Sequence, residues 1–397
     1  MSKARRLVPA SMCVLALAVV AMLVAGSRPS AAAASNAVPM PAAPDVQATA
    51  FVLMDVDTGM VLASRAPDDR RPPASLTKIM TAFIVESEIA SKRIGTQDQV
   101  PISEHAWRTE GSRMFVQVGT QVALSDLLRG VVIQSGNDAS VALAEYVAGS
   151  ESGFAEVMNR TAAKLGLTGT HFMNATGWPD PQHYSTARDL ARLAAHVIRD
   201  YPEQYKVYSE REFTFNGIHQ VNRNDLLFRD HTVDGMKTGY TEEAGYCLIA
   251  SSLREGMRLL VVVLGAPDPA ARARDSGKLL GFGFRYFQTH RLYQPGQVIR
   301  TSRVWGGAAD SVDLGVATPV VVTLPRGRYP DLMPVAELQH VVRAPVASGA
   351  QLGMLRVKLD GKELVRTPLV ARNAVGQGSW FKRLWHWILL FFTELFG

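Results

Sequence analysis

Strand-like patterning at two distant places in the chain constrains the fold more than any other feature. The stretch ATAFVLMDVDTGMVLASR alternates and turns at Asp57-Thr58-Gly59, which predicts a hairpin. Far downstream, GMKTGYT, AGYCLIASSL and RLLVVVLGA read as three successive strands with tight connections. Between them the spacing is helical. Pro72 and Pro73 stop the hairpin, and Leu76, Ile79, Met80, Phe83 and Ile84 then recur with one-face helical periodicity. A second helix is expected from a cap at Ser125, with a break at Ser135-Gly136-Asn137 and a stop at Gly149. FAEVMNRTAAKLG and TARDLARLAAHVIRD add further helices. Strands at both ends with helices between predict an α/β (α+β) domain, a central antiparallel sheet built from the two termini and covered by helices.

The chain of 397 residues, 47% hydrophobic, is long enough for that core and a second, smaller domain. Its +6 formal charge is concentrated at the start. Lys3, Arg5, Arg6 and Arg28 lie in the first 34 residues, which hold no acid, so removing those four from +6 leaves +2. That remainder gives no argument for nucleic acid. The same segment has the order of an export signal: basic residues, the apolar run Cys13 to Gly26, and an Ala32-x-Ala34 cleavage pattern. With Cys13 removed, Cys247 is left as a lone thiol in an apolar run, expected to behave as a small buried hydrophobe.

Past about Leu292, short Val-rich stretches separated by Gly, Pro and Asp predict a small all-β domain without a cluster of chemistry-bearing side chains. The closing SWFKRLWHWILLFFTELFG differs in kind. At helical spacing Ser379, Lys382, Arg383, His386, Thr393 and Glu394 share one sector, with Leu390 the single apolar intruder, and Trp, Phe, Leu and Ile fill the rest. An amphipathic helix lying in a membrane surface is expected, not a span, because charges interrupt the apolar run. The division expected is signal 1–34, linker 35–45, catalytic domain 46–291, β domain 292–376 and anchor helix 377–397.

Three short strings stand in order: Ser75-Leu76-Thr77-Lys78 at a helix start, Ser135-Gly136-Asn137 between helices, and Lys237-Thr238-Gly239 on a strand. A serine hydroxyl needs a base within hydrogen-bond reach, and a lysine one turn on can serve only when neutral. Burial and a second cation, Lys237, would both lower its pKa. His183 and the other histidines lack ligand spacing, so neither a metal nor another cofactor is implied.

With these strings, and with DTGMVL, QSGNDASVALAEYVAG, NGIHQVNRN and VDGMKTGYTEEAGYCLIAS around them, the sequence resembles the low-molecular-mass penicillin-binding proteins that act as serine-type D-alanyl-D-alanine carboxypeptidases. The resemblance covers nearly the whole chain. It implies a β-lactamase/transpeptidase-like fold and hydrolysis of peptidoglycan pentapeptide through a Ser75 acyl-enzyme, with covalent binding of β-lactam inhibitors and peripheral anchoring at the periplasmic face of the inner membrane. Lys78 would be the base and Ser135 the proton relay. Asn137 would orient substrate and Lys78, and Lys237 and Thr238 would hold the terminal carboxylate. Gly239 would admit the substrate backbone, while the N–H groups of Ser75 and Tyr240 would form the oxyanion hole. Arg223 and Arg272 match positions that help with the carboxylate. The rival readings are a serine β-lactamase, for which Glu156 is the nearest candidate deacylation base, and a non-catalytic wall-binding scaffold.

Overall fold

A computed structural model describes residues 42–396. The expected signal, Cys13, the cleavage point and most of the linker lie outside the described residues. Among the described residues, β1 (Ala50–Asp55), β2 (Val61–Arg65), β3 (Val233–Thr241), β4 (Gly245–Arg254) and β5 (Met257–Ala266) form one antiparallel sheet in the order β2-β1-β5-β4-β3. The N-terminal hairpin therefore joins the three later strands through β1 against β5, as expected. Side chains alternate across the sheet. Val52, Met54, Val262 and Leu264 enter a core beneath the helices α1 (Lys78–Ala90), α2 (Leu124–Arg129), α3 (Asn137–Ala148), α4 (Glu151–Lys164) and α5 (Ala187–Asp200). Phe51, Leu53, Val261 and Val263 enter a second core under α6 (Pro269–Tyr286). Both faces are covered, which is why β5 reads as a continuous apolar run.

Two helical expectations need correction. Every residue of α1 from Lys78 to Glu86 is buried, not one face alone, because α3, α4, α5 and the segment Gly130–Gln134 pack around it. Ser125 is not a cap. The short strand Gln121–Ala123 passes directly into α2, Ala123 takes the cap position, and the Ser125 N–H donates to the Thr96 carbonyl. The expected break is real: a π turn over Gly130–Gln134 delivers Ser135 in the left-handed region at φ 65°, and α3 starts at Asn137. Gly149 ends α3 at φ 78°.

Beyond α6, β6 (Phe287–Tyr293) pairs with β9 (Val320–Pro325). The strands β7 (Arg300–Trp305), β8 (Ser311–Gly315), β10 (Met333–Leu338), β11 (Val342–Arg343), β12 (Gln351–Leu359) and β13 (Lys362–Ala371) form a second sheet in the order β10-β12-β13-β8-β7-β11 around a Val- and Leu-rich core. Polar bonds tie this module to the first hairpin. Thr289 Oγ1 donates to Asp55 Oδ2 at 2.6 Å, and the hydroxyls of Thr58 and Thr323 lie 2.8 Å apart.

The terminal helix α7 (Trp380–Phe396) lays its polar sector on the module. Lys382 pairs with Asp310 at 2.8 Å, the Gly306 N–H donates to His386 Nδ1 at 2.9 Å, and Leu390 is buried beside them. The apolar intruder is thus part of the docked stripe. Phe381, 77% exposed, and Trp380, Trp385 and Trp387 project outward. Among the described residues no helix is long and apolar enough to cross a membrane.

Candidate active site

A one-turn 3-10 segment, Ala74–Thr77, sets Ser75 at the mouth of a cleft while Ala74, Leu76, Thr77 and Lys78 are buried. Ala74 has φ 49°, a conformation an L-residue holds only when its surroundings impose it. The surroundings are two backbones. A Cβ on Gly177 would lie 1.8 Å from the Ala74 carbonyl oxygen, and one on Gly239 would lie 3.2 Å from both the Pro73 oxygen and the Ser75 nitrogen. Glycine at these positions lets loop and strand close on the turn. What Gly239 admits in this geometry is the backbone of the Ser75 turn itself.

Lys78, the first residue of α1, is 1% exposed. Its Nζ lies 3.0 Å from Ser75 Oγ and donates to Asn137 Oδ1 at 2.7 Å and the Thr176 carbonyl at 2.6 Å. A neutral amine has two N–H groups, which these two acceptors take, so the lone pair is left facing the serine hydroxyl. Burial, reinforced by the positive charge of Arg223, brings the Lys78 pKa down to about 7; Asp138 and Glu151 oppose the shift. Arg223 therefore joins Lys237, whose repulsion with Lys78 is mutual, as a cation acting on the base. Lys237, 2% exposed, is itself held well below the usual lysine range by burial and then by Lys78, Arg223 and Arg272. Its Nζ donates to the Thr238 carbonyl at 2.9 Å.

Ser135 is buried at its left-handed turn. Asn137 is fixed on both ends of its amide: Oδ1 accepts from Lys78, and Nδ2 donates to the Glu110 carbonyl at 2.6 Å, leaving one Nδ2 proton unspent. The surrounding cleft, about 750 Å³, is lined by Ser75, Ser112, Asn137, Trp178, Arg223 and Tyr240 among others. Arg223 donates to Ser112 Oγ at 2.8 Å, at the rim. Arg272 does not reach the cleft: it is buried on α6 with its guanidinium over the Tyr246 ring, which stacks on Tyr240. Thr238 is buried on β3. Cys247 is fully buried, its thiol pushed up to about 11 by desolvation, and so chemically quiet.

Four contributors escaped the sequence reading. Thr176 supplies the second acceptor to Lys78 from a turn in which Asn174 Oδ1 accepts N–H bonds from Thr176, Gly177 and Trp178. The string Asn174-Ala-Thr-Gly177 is an Asx-turn signal that could have located it. Asp138, completely buried, accepts from the N–H groups of Met114, Phe115 and Val116 and holds that loop against α3. His183 accepts from the Met173 N–H at Nδ1, so Nε2 is its donor to Thr77 Oγ1 at 2.8 Å. Burial first holds its pKa down to about 4, which keeps the ring neutral. The acid that acts on Lys78 from α4 is Glu151, whose carboxylate is occupied by the Ala175 N–H and His105. Glu156 is exposed and paired with Arg160, with no place on the cleft wall.

A serine beside a buried, near-neutral lysine, with further cations close by, is equipped for nucleophilic attack on an acyl group that carries a carboxylate. The family model described as D-alanyl-D-alanine carboxypeptidase matches residues 37–268, and that of the penicillin-binding protein 5 C-terminal domain matches 287–377. The chain belongs to the D-alanyl-D-alanine carboxypeptidase family. It is 42% identical over 360 residues to D-alanyl-D-alanine carboxypeptidase DacA of Haemophilus influenzae, covering 89% of this chain and 92% of that one. It is 43% identical over 363 residues to DacC of Escherichia coli strain K12, covering 89% and 91%. Among solved structures, penicillin binding protein 5 from Haemophilus influenzae superposes with a TM-score of 0.79 at 42% identity, over 85% of this chain and 100% of that one.

Proposed function

We propose that the protein is a serine-type D-alanyl-D-alanine carboxypeptidase that removes the terminal D-alanine from peptidoglycan pentapeptide and binds penicillin covalently at the same serine. The observation that carries this reading is the 3.0 Å contact between Ser75 Oγ and a Lys78 amine whose other bonds are already assigned. Lys78 takes the hydroxyl proton as Ser75 Oγ attacks the carbonyl of the penultimate residue. The Ser75 and Tyr240 N–H groups receive the oxyanion, and their support is that β3 lies against the Ser75 nitrogen at Gly239. Ser135 passes a proton to the departing D-alanine nitrogen as the C–N bond breaks. Water then cleaves the ester and returns Ser75 to its starting state. Lys237, Thr238 and Arg223 bind the substrate carboxylate, with Arg272 acting from behind Tyr246 on the charge of Lys237. Asn137 uses its remaining Nδ2 proton on the substrate.

The same reading places the enzyme outside the cytoplasm, exported by residues 1–34, with a catalytic domain over 46–291 and a β module over 292–376. It rests on the periplasmic face of the inner membrane through α7. The outward row of Trp380, Phe381, Leu384, Trp385 and Trp387 supports that surface contact, because the module occupies the polar stripe and these apolar side chains are exposed among the described residues.

Mass spectrometry of a pentapeptide muropeptide tests the assignment. The purified protein should shorten it by one alanine, and Ser75→Ala should abolish the shortening. Loss of alanine that survives in Ser75→Ala would place the nucleophile elsewhere.

A further inference from the structure

Lys78 owes the direction of its lone pair to two acceptors, and one of them, the Thr176 carbonyl, comes from a turn and not from a helix or strand. That turn, residues 174–178, is a thin wall. Thr176 and Trp178 line the catalytic cleft on one side and, on the other, a second cavity of about 390 Å³ that they share with His105, Glu110, Glu151 and Asn174. A wall with a hollow behind it keeps its place by hydrogen bonds more than by packing. Three side chains supply them. Asn174 Oδ1 gathers the N–H groups of Thr176, Gly177 and Trp178 from within the turn. Thr81, three residues beyond Lys78 on α1, donates its hydroxyl to the Ala175 carbonyl at 2.7 Å. Glu151, the first residue of α4, accepts from the Ala175 N–H at Oε1, at 3.1 Å. Its other oxygen lies 3.1 Å from Nε2 of His105, on the short helix Glu104–Arg108.

A glutamate in the first turn of a helix is stabilised by the helix dipole wherever it points. This one is turned onto the wall, with 20% of its side chain exposed. We propose that Glu151 is a positioning residue for the reaction: by holding the Ala175 N–H it fixes the Thr176 carbonyl against Lys78 Nζ, and His105 braces the carboxylate from its other side. The inference rests on the function proposed above and goes beyond it in giving a part in the reaction to a group behind the cleft wall. The same carboxylate also acts through space. Lys78 is faced by Arg223 and Lys237, which disfavour its charge, and by Asp138 and Glu151, which favour it. Glu151 in turn shares the second cavity with His105, Arg108 and Glu110. Bond and charge are separable: Glu151→Gln keeps an acceptor for Ala175 and removes the charge, whereas Glu151→Ala removes both.

The test takes the pH profile of D-alanine release and the rate of acylation by a fluorescent penicillin, each per active site as counted by exhaustive penicillin labelling. Glu151→Ala should lower kcat on the order of tenfold with KM unchanged, and slow acylation alike, because a base displaced from the serine weakens the transition state alone. Glu151→Gln should restore most of that rate while moving the rising limb to lower pH, since the acid that favours the charged amine is gone. Glu156→Gln, which takes a charge from the exposed face of the same helix, should change neither. A purely structural role would lower stability and leave the rate per active site of Glu151→Ala where it was, and that result overturns the proposal. A Glu151→Gln as slow as Glu151→Ala would assign the effect to charge and overturn it too, and a raised KM at constant kcat would move Glu151 to substrate binding with the same consequence. An unaltered protein that is acylated but releases no D-alanine overturns the carboxypeptidase reading alone, and the acylation rates still decide the proposal. One that is not acylated at all removes both.

Discussion

At the scale of single residues, the account turns on the charge of Lys78. The free enzyme should be active only with the amine neutral, so kcat/KM for a D-alanyl-D-alanine peptide should rise with pH through about 7. Arg223→Gln removes a cation that lowers Lys78 and should move this limb to higher pH. Arg272→Gln should leave it in place, since Arg272 acts on Lys237 and not on Lys78. A pH profile of the two variants checks the contrast, and an unshifted limb in Arg223→Gln would mean that Arg223 has no part in setting the lysine. The serine and lysine were legible from their spacing because a helix start places residues three apart side by side. That Arg223 also acts on the lysine was not, because it reaches the site from a different element and only the fold brings it there.

At the scale of elements, α1 carries a cost that the sequence hides. Glu86 is completely buried two turns beyond Lys78; its Oε1 receives a long bond from Tyr208, and its Oε2 has no hydrogen-bond partner among the described residues. Desolvation raises its pKa to about 8, against 4.5 for an ordinary glutamate. Between those values the folded chain holds a proton that the unfolded chain has lost, so stability falls as pH rises from about 4.5 to about 8. Glu86→Gln should therefore raise stability at pH 8, by on the order of 2 kcal/mol, and change it little at pH 4. Denaturant unfolding at the two pH values measures this, and an equal effect at both would assign the gain to packing instead of charge. Periodicity located α1 correctly but could not show that it is buried all round, since a helical repeat marks the most apolar face and is silent about what covers the others. The sheet was more legible. β1 and β5 are apolar over most of their length, and that strands at both ends of the domain share one sheet follows from where the helices interrupt them.

At the scale of the whole molecule, the cleft and the terminal helix lie in separate parts, and polar contacts join the β module to the first hairpin. A chain ending at Gly378 loses the Lys382 and His386 contacts to the module but none of the cleft, so it should leave the membrane fraction and keep full D-alanine release. Phe381→Asp with Trp385→Asp should do the same without disturbing the docked stripe. Sedimentation with membranes decides it; a truncated chain that still pellets would move the anchor to another segment. The amphipathic tail was legible as an amphipathic helix, yet the direction of its polar face was not, because the Asp310 that receives Lys382 lies far from it in sequence.

The most direct measurement of the central claim is the intact mass of the protein after brief exposure to penicillin. Glu156 is exposed and paired with Arg160, and Glu151 is bound to Ala175 and His105, so neither is poised to activate water against an acyl-enzyme. The expected result is a single penicilloyl adduct that maps to Ser75, persists on the spectrum and is absent from Ser75→Ala, while D-alanyl-D-alanine peptides turn over steadily. Rapid multi-turnover loss of penicillin, with Glu156→Gln trapping the adduct, would contradict the account and make the protein a β-lactamase.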